Sequence, residues 1–274
     1  MPTVEVHDTH LFYTRSGTGL PCLVMHGGLG LDHTYLRGLD SLSDVLHLVY
    51  YDHRHNGRSG RPLLDTVTHP QLADDAEALR QHLGLGKVAV LGHSYGGFIA
   101  LEYALRHPDS LSHLILLNTA PVFNYGEEIM NNATARGATP EMLEALATSS
   151  SDDGTMKSAL KLIFPLYFYR YQPAYDALLA NIIVCAALEG QQEKMLSTYN
   201  TLPRLHEIGC PTLILVGRHD FICPPSQAHN MHARVSQSRL VVFENSGHFP
   251  WIEEPELFIQ TVKEWLEQMA DYTS

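Results

Sequence analysis

The chain carries Gly92-His93-Ser94-Tyr95-Gly96-Gly97 directly after a short apolar run, residues 88–91, and before a helical pattern. A G-x-S-x-G pentapeptide at a strand-to-helix junction makes a tight turn. Its serine is held in a strained backbone conformation, and glycines flank it because side chains there would collide with the neighbouring strand or helix. Such a turn lifts the Ser94 hydroxyl above a sheet edge. A hydroxyl is a poor nucleophile until a base of near-neutral pKa takes its proton. Two more strand-like runs end in candidates for that work. Residues 212–216 lead into Gly217-Arg218-His219-Asp220, and residues 240–243 lead to Asn245-Ser246-Gly247-His248. In this reading His248 is the base, and Asp220 fixes its tautomer and stabilises the imidazolium that forms. Singly, the pentapeptide also fits an ordinary glycine turn, Asp220 a helix cap, and His248 a surface-loop histidine. Their joint placement past three strands, in the order Ser, Asp, His, favours acyl transfer.

An acyl-transfer transition state needs donors for its oxyanion. Residues 22–25 run into His26-Gly27-Gly28-Leu29-Gly30, a glycine-rich turn whose backbone amides can face the nucleophile, and the amides of Gly28 and Tyr95 are the expected pair. A phosphate-cradling loop is the competing reading. It lacks both the G-x-x-x-x-G-K-[ST] and the G-x-G-x-x-G spacings.

Short apolar runs at 22–25, 46–51, 88–91, 114–117, 212–216 and 240–243 have the length and uniform apolarity of strands buried on both faces. Residues 4–14 alternate about Asp8-Thr9 like an opening hairpin, which brings the expected strand count to eight. Helical patterns fall at 71–83, with Leu72, Ala76, Leu79 and Leu83 on one face, at 98–106, and at 255–269 behind Pro255. Alternating strands and helices predict an α/β fold whose mostly parallel sheet is covered by helices on both faces. The alternation breaks between Pro121 and Pro203. Residues 122–202 are therefore expected to be an inserted helical lid over the carboxyl edge of the sheet, with 1–121 and 203–274 forming the core and a polar hinge near 148–154.

The chain has 274 residues, 45% of them apolar, and a net charge of −12. That balance argues against a nucleic-acid partner, which selects a basic face. Met1–His10 has no Lys or Arg and no apolar stretch, so no signal peptide is expected. The longest apolar run, 182–188, is too short to span a bilayer, and a cytoplasmic protein with no membrane partner is the default expectation. Cys22, Cys185, Cys210 and Cys223 form no C-x-x-C pair and read as reduced, mostly buried thiols. His53 and His55 beside Asp52 form an H-x-H pair, but no further spaced ligand follows and no metal is expected. His229 and His232 read as solvated residues of a surface helix.

The set His26-Gly27-Gly28, Gly92–Gly97, Gly217–Asp220 and Gly247-His248 resembles the α/β-hydrolase superfamily, specifically its branch of prolyl aminopeptidases and small carboxylesterases. The likeness covers about residues 20–120 and 205–270. It implies a catalytic triad of Ser94, Asp220 and His248, no cofactor, and a small-molecule ester or amide substrate. Leu29 stands where many relatives have proline. Asp52-His53-Arg54-His55-Asn56-Gly57-Arg58-Ser59 is similar to the family's D-x-R-G-x-G-x-S loop with His55 in place of glycine, so an unusual backbone conformation is expected there.

Specificity belongs to the lid. Phe164, Tyr167, Phe168, Tyr169, Tyr171 and Tyr175 fall within a dozen residues and fit either an apolar acyl or alcohol site or packing of lid on core. The resemblance also makes Glu189 the counterpart of a glutamate that prolyl aminopeptidases use for the substrate ammonium. Phe221 replaces a second acid that some of them carry, which removes half of that site. The expectation is a serine esterase acting on small to medium carboxylic esters through an acyl-enzyme. Aminoacyl-amide hydrolysis, lactone hydrolysis and a ligand receptor on a hydrolase scaffold are the alternatives.

Overall fold

In a computed structural model describing residues 2–273, eight strands form one sheet in the order β1-β2-β4-β3-β5-β6-β7-β8. The strands are β1 (Thr3–Val6), β2 (Thr9–Ser16), β3 (Leu20–Met25), β4 (Leu46–Tyr51), β5 (Val88–His93), β6 (Leu111–Leu117), β7 (Thr212–Gly217) and β8 (Ser238–Phe243). β1 and β2 pair as the expected hairpin, β2 joins β4 antiparallel, and every other pairing is parallel.

The central strands are apolar throughout because both faces are covered. In β5, Val88 and Val90 enter the core beneath α1 (His69–His82) and α2 (Tyr95–Arg106). Ala89 and Leu91 enter the opposite core beneath α9 (Pro255–Thr273). This period of two is the geometry of a strand sandwiched between helical layers. β8 departs from the expectation of full burial: only Phe243 is buried, because β8 is an edge strand paired on one side alone. α1 begins where the Thr68 side chain accepts the Gln71 amide, with proline in the first turn.

Between β6 and β7 lie α3 (Gly126–Ala135), α4 (Pro140–Ala147), α5 (Asp153–Ile163) and α6 (Glu189–Leu196), with 3-10 segments between α5 and α6. One isolated bridge joins Val122 to Asn200 where this segment leaves and re-enters the core. The segment docks on the turn after β3: the Cys185 amide donates to the Gly30 carbonyl (2.8 Å) and the Ile183 amide to Asp32 Oδ2 (3.3 Å). α7 (Pro225–His232) follows β7, and α8 (Pro250–Glu253) precedes α9. No helix among the described residues is long and apolar enough to cross a membrane.

Candidate active site

Ser94 caps α2 with φ 55° and ψ −123°, a conformation that side chains rarely adopt. The turn closes only because Gly96 lacks a side chain: a Cβ there would collide with the Met25 and His26 carbonyls of the adjacent strand end. Ser94 is half-buried and lines a cavity of about 310 Å³.

Asp220 and His248 reach the same edge. Asp220 is buried and accepts four hydrogen bonds. Its Oδ2 takes His248 Nδ1–H (2.7 Å) and Asn118 Nδ2 (2.7 Å), while its Oδ1 takes the amides of Ile222 and Cys223 (3.0 Å each). All four lone-pair sites of the carboxylate are thus occupied, which fixes its orientation. Asp220 is an acceptor here, so His248 carries its proton on Nδ1 and leaves Nε2 free to act as a base. The His248 amide is anchored to the Tyr167 carbonyl (2.6 Å). The Ser94 hydroxyl makes no hydrogen bond to His248 among the described residues; it lies against the Cys223 thiol.

The amides of Gly28 and Tyr95 make no hydrogen bond among the described residues, and both residues line the cavity. Gly28 adopts φ 53°, which a glycine accepts without cost. The loop behind it is held by side chains. The Gly27 amide donates to Tyr35 Oη (2.7 Å), the Gly30 amide to Asn56 Oδ1 (2.6 Å), and His26 Nε2 accepts the His53 amide (3.1 Å). Burial, partly offset by the Asp52 carboxylate, holds the His26 pKa below the ordinary imidazole value; burial and then the nearby His26 charge push His53 well below it.

Of the expected substrate contacts, Phe164 and Tyr167 line the cavity. Phe168 and Phe221 do not. Phe168 is fully buried against Phe164, Tyr175 and Phe249, and Phe221 packs edge-on against Tyr167. Glu189 also lies outside: its carboxylate accepts the Ser150 amide and borders a neighbouring cavity. Tyr169 stacks on His219 at 4.0 Å, Tyr171 donates to Asp176 (2.8 Å), and Tyr171 and Tyr175 pack beside Phe168.

His55 has an unusual backbone conformation, as expected, with φ 66°, and its Nδ1 lies 3.8 Å from Cys185 Sγ. His53 Nε2 is spent on the His26 carbonyl (3.1 Å), so the H-x-H pair has separate engagements. His229 and His232 are exposed on α7. Among the described residues, three groups with metal-ligating atoms converge, Asp220, Cys223 and His248, within 4.8 Å of one another. Asp220 and His248 are already joined to each other, so a metal there would have to break that pair.

Several wall residues escape a motif-based reading. Tyr35, His93, Tyr125 and Cys223 all line the cavity. His93 is buried, with Nε2 3.1 Å from the His248 carbonyl and Nδ1 2.8 Å from Tyr35 Oη; burial and then the His248 charge push its pKa well below the ordinary value. The one available signal was position, since His93 precedes Ser94 and Cys223 follows Asp220 by three residues.

A family model described as alpha/beta hydrolase fold matches residues 21–255. A proline iminopeptidase of Pestalotiopsis fici is 26% identical over 97% of this chain and 99% of that protein. A proline iminopeptidase of Clostridioides difficile is 28% identical over 90% of this chain and 89% of its own. The structure of a thermophilic esterase from Thermogutta terrifontis superposes with a TM-score of 0.75 at 28% identity, covering 95% of this chain and 94% of that one.

Proposed function

We propose that this chain, which belongs to the alpha/beta hydrolase fold family and is a hydrolase, cleaves carboxylic esters with Ser94 as nucleophile, His248 as base and Asp220 as the residue that orients it. Ser94 and His248 line one cavity, and the contact between the serine oxygen and Nε2 of His248 is of a kind that commonly tightens only once substrate is bound. Ser94 Oγ then attacks the ester carbonyl carbon as its proton passes to Nε2. The amides of Gly28 and Tyr95 receive the oxyanion. The imidazolium, steadied by Asp220, returns the proton to the departing alcohol, leaving an acyl-serine. Water activated by the same imidazole attacks that ester, and Ser94 recovers its proton as the acid leaves.

The observation that carries the ester reading is the cavity wall. Among the described residues, no Asp, Glu, Lys or Arg lines it, and Phe98, Phe123, Ile129, Leu160 and Ile182 supply much of its surface. An apolar, uncharged wall accepts a neutral acyl or alcohol group. The acids of the neighbourhood, Glu189 and Glu193, line the adjoining cavity, which shares Gly28 and Tyr167 with this one, so an α-ammonium seated against this wall itself would lose its hydration without compensation. The esterase at 28% identity is consistent with this reading.

The curated relatives named above favour a second reading, release of an amino-terminal residue from an aminoacyl amide. Turnover of p-nitrophenyl butyrate against prolyl-naphthylamide separates the two. The ester reading expects the ester to be the better substrate by at least tenfold in kcat/KM; efficient amide cleavage with negligible ester turnover refutes it. Labelling of intact protein by a fluorophosphonate at Ser94, lost in Ser94→Ala, tests the nucleophile, and no label on wild-type protein favours a ligand receptor.

A further inference from the structure

Three tyrosine hydroxyls belong to well-buried residues of the cavity wall, and two are committed. Tyr35 Oη lies between the Gly27 amide and His93, and Tyr95 Oη lies 2.9 Å from His69 Nε2. The third, Tyr125, has no such commitment. The residue is 6% exposed, yet its Oη has no oxygen or nitrogen hydrogen-bond partner among the described residues. Its polar neighbour is the Cys223 thiol, a weak partner, and Ser94 bears on that same thiol. Tyr125 precedes α3, with the Phe123 ring edge-on at 5.4 Å, so the ring is held by packing rather than by its hydroxyl.

A buried hydroxyl without a partner is uncommon in folded proteins, and each one calls for a physical reason. Here the reason is at hand, because the orphan lies on the wall of the cavity that contains Ser94 and His248. We propose that Tyr125 is a specificity-determining residue whose hydroxyl donates a hydrogen bond to an oxygen of the substrate other than the scissile carbonyl. The preferred substrate is then an ester carrying a hydroxyl, ether or keto oxygen on the part seated against residues 123–129 and 222–223, rather than a plain alkyl ester. Burial, then the nearby Cys223 and Asp220, keep the Tyr125 phenol protonated and therefore a donor at any physiological pH. The inference rests on the ester-hydrolase reading above.

The test replaces one methylene by oxygen on each side of the ester in turn. Wild-type and Tyr125→Phe proteins are compared on p-nitrophenyl butyrate against p-nitrophenyl methoxyacetate, and on n-butyl butyrate against 2-methoxyethyl butyrate. Sites built to pair with a substrate polar group discriminate strongly against losing that pair. Tyr125→Phe is expected to lower kcat/KM for the oxygen-bearing member of at least one pair by about 10- to 100-fold, with the all-carbon partner within about twofold. Its melting temperature is expected to be equal to or above wild type, since the variant removes an unpaired buried hydroxyl. Equal changes across both pairs overturn the proposal. Failure of the wild type to cleave any ester would count against the ester-hydrolase reading instead. In that event calorimetric binding of methoxyacetate against butyrate decides: an ether-oxygen preference lost in Tyr125→Phe supports the proposal, and no Tyr125-dependent preference overturns it.

Discussion

Tyr35 Oη lies 2.8 Å from His93 Nδ1 while accepting the Gly27 amide at 2.7 Å, so one phenol fastens the oxyanion turn to the residue preceding the proposed nucleophile. His93 Nε2 faces the His248 carbonyl (3.1 Å), which can only accept, so Nε2 carries the ring proton of the neutral imidazole. Nδ1 is then the acceptor, and the Tyr35 hydroxyl donates to it. Three loops that follow β3, β5 and β8 are thereby cross-linked through two side chains, both neutral.

Tyr35→Phe leaves the Gly27 amide and His93 Nδ1 unpartnered in a buried place. The expected cost is about 1–3 kcal/mol of stability, read by denaturant unfolding. Because Gly28 adjoins the loosened amide, kcat for p-nitrophenyl butyrate is expected to fall about tenfold with KM within about twofold, the mark of a contact that matters mainly in the transition state. An unchanged kcat would show that the cross-link does not position the oxyanion turn.

How far the site was readable from residue order depends on what each residue's place relies upon. Ser94, Asp220 and His248 follow apolar runs that become β5, β7 and β8, so parallel topology alone carries them to one edge. His55 showed itself by standing where a glycine is usual. The aromatic run was ambiguous for a physical reason: Phe164 and Tyr167 turn toward the cavity, whereas Phe168 turns into the core beside Phe249. In a segment broken by 3-10 turns no fixed period predicts which side chain turns which way. Tyr35 and Tyr125 reach the cavity from segments far apart in the chain, and only tertiary packing brings them there.

Ser94→Ala and Ser94→Gly make a paired test of the strained turn. Both remove the nucleophile, and turnover is expected to vanish in both. Alanine keeps a Cβ at φ 55°, so the melting temperature should stay near wild type. Glycine relieves the strain, worth about 1–3 kcal/mol, less about 0.5–1 kcal/mol for its greater freedom when unfolded. Calorimetry is expected to show Ser94→Gly melting up to about 4 °C higher. A lower melting point than Ser94→Ala would mean that the turn is unstrained.

Buried imidazoles set the acid limit. Burial lowers the pKa of His69 to about 4 and also pushes down those of His26, His53 and His93. The unfolded chain takes up these protons near pH 6.5 while the native state does not. Stability is therefore full above about pH 6.5 and declines as pH falls toward the native values, each histidine adding about 1.4 kcal/mol per pH unit to the slope. The Asp52 carboxylate behaves differently. Burial opposes its ionisation, but the His33 hydrogen bond leads the interactions that outweigh it and bring its pKa to about 2, so its contribution persists until pH drops below the ordinary carboxylate range. Urea unfolding at pH 7.5, 6.5, 5.5 and 5.0 is expected to show the loss beginning near 6.5, with a shallower slope in His69→Gln. A flat profile over that range would contradict neutral burial.

Glu189 is the residue on which the ester and aminopeptidase readings part most sharply. Its carboxylate is spent on the Ser150 amide and lines a cavity that adjoins the one containing Ser94 and His248 and shares Gly28 and Tyr167 with it. For ester turnover the side chain is then a local anchor of the loop before α5. Glu189→Gln, which keeps an acceptor oxygen for Ser150, is expected to leave kcat/KM for p-nitrophenyl butyrate within about twofold of wild type. Were the natural substrate an aminoacyl amide whose ammonium pairs with this carboxylate, the same change would remove a charge-assisted contact and lower turnover of prolyl-naphthylamide by about tenfold or more. Measuring both substrates on the one variant settles the assignment: a tenfold fall confined to the amide, from a wild-type rate exceeding that for the ester, would displace the esterase reading.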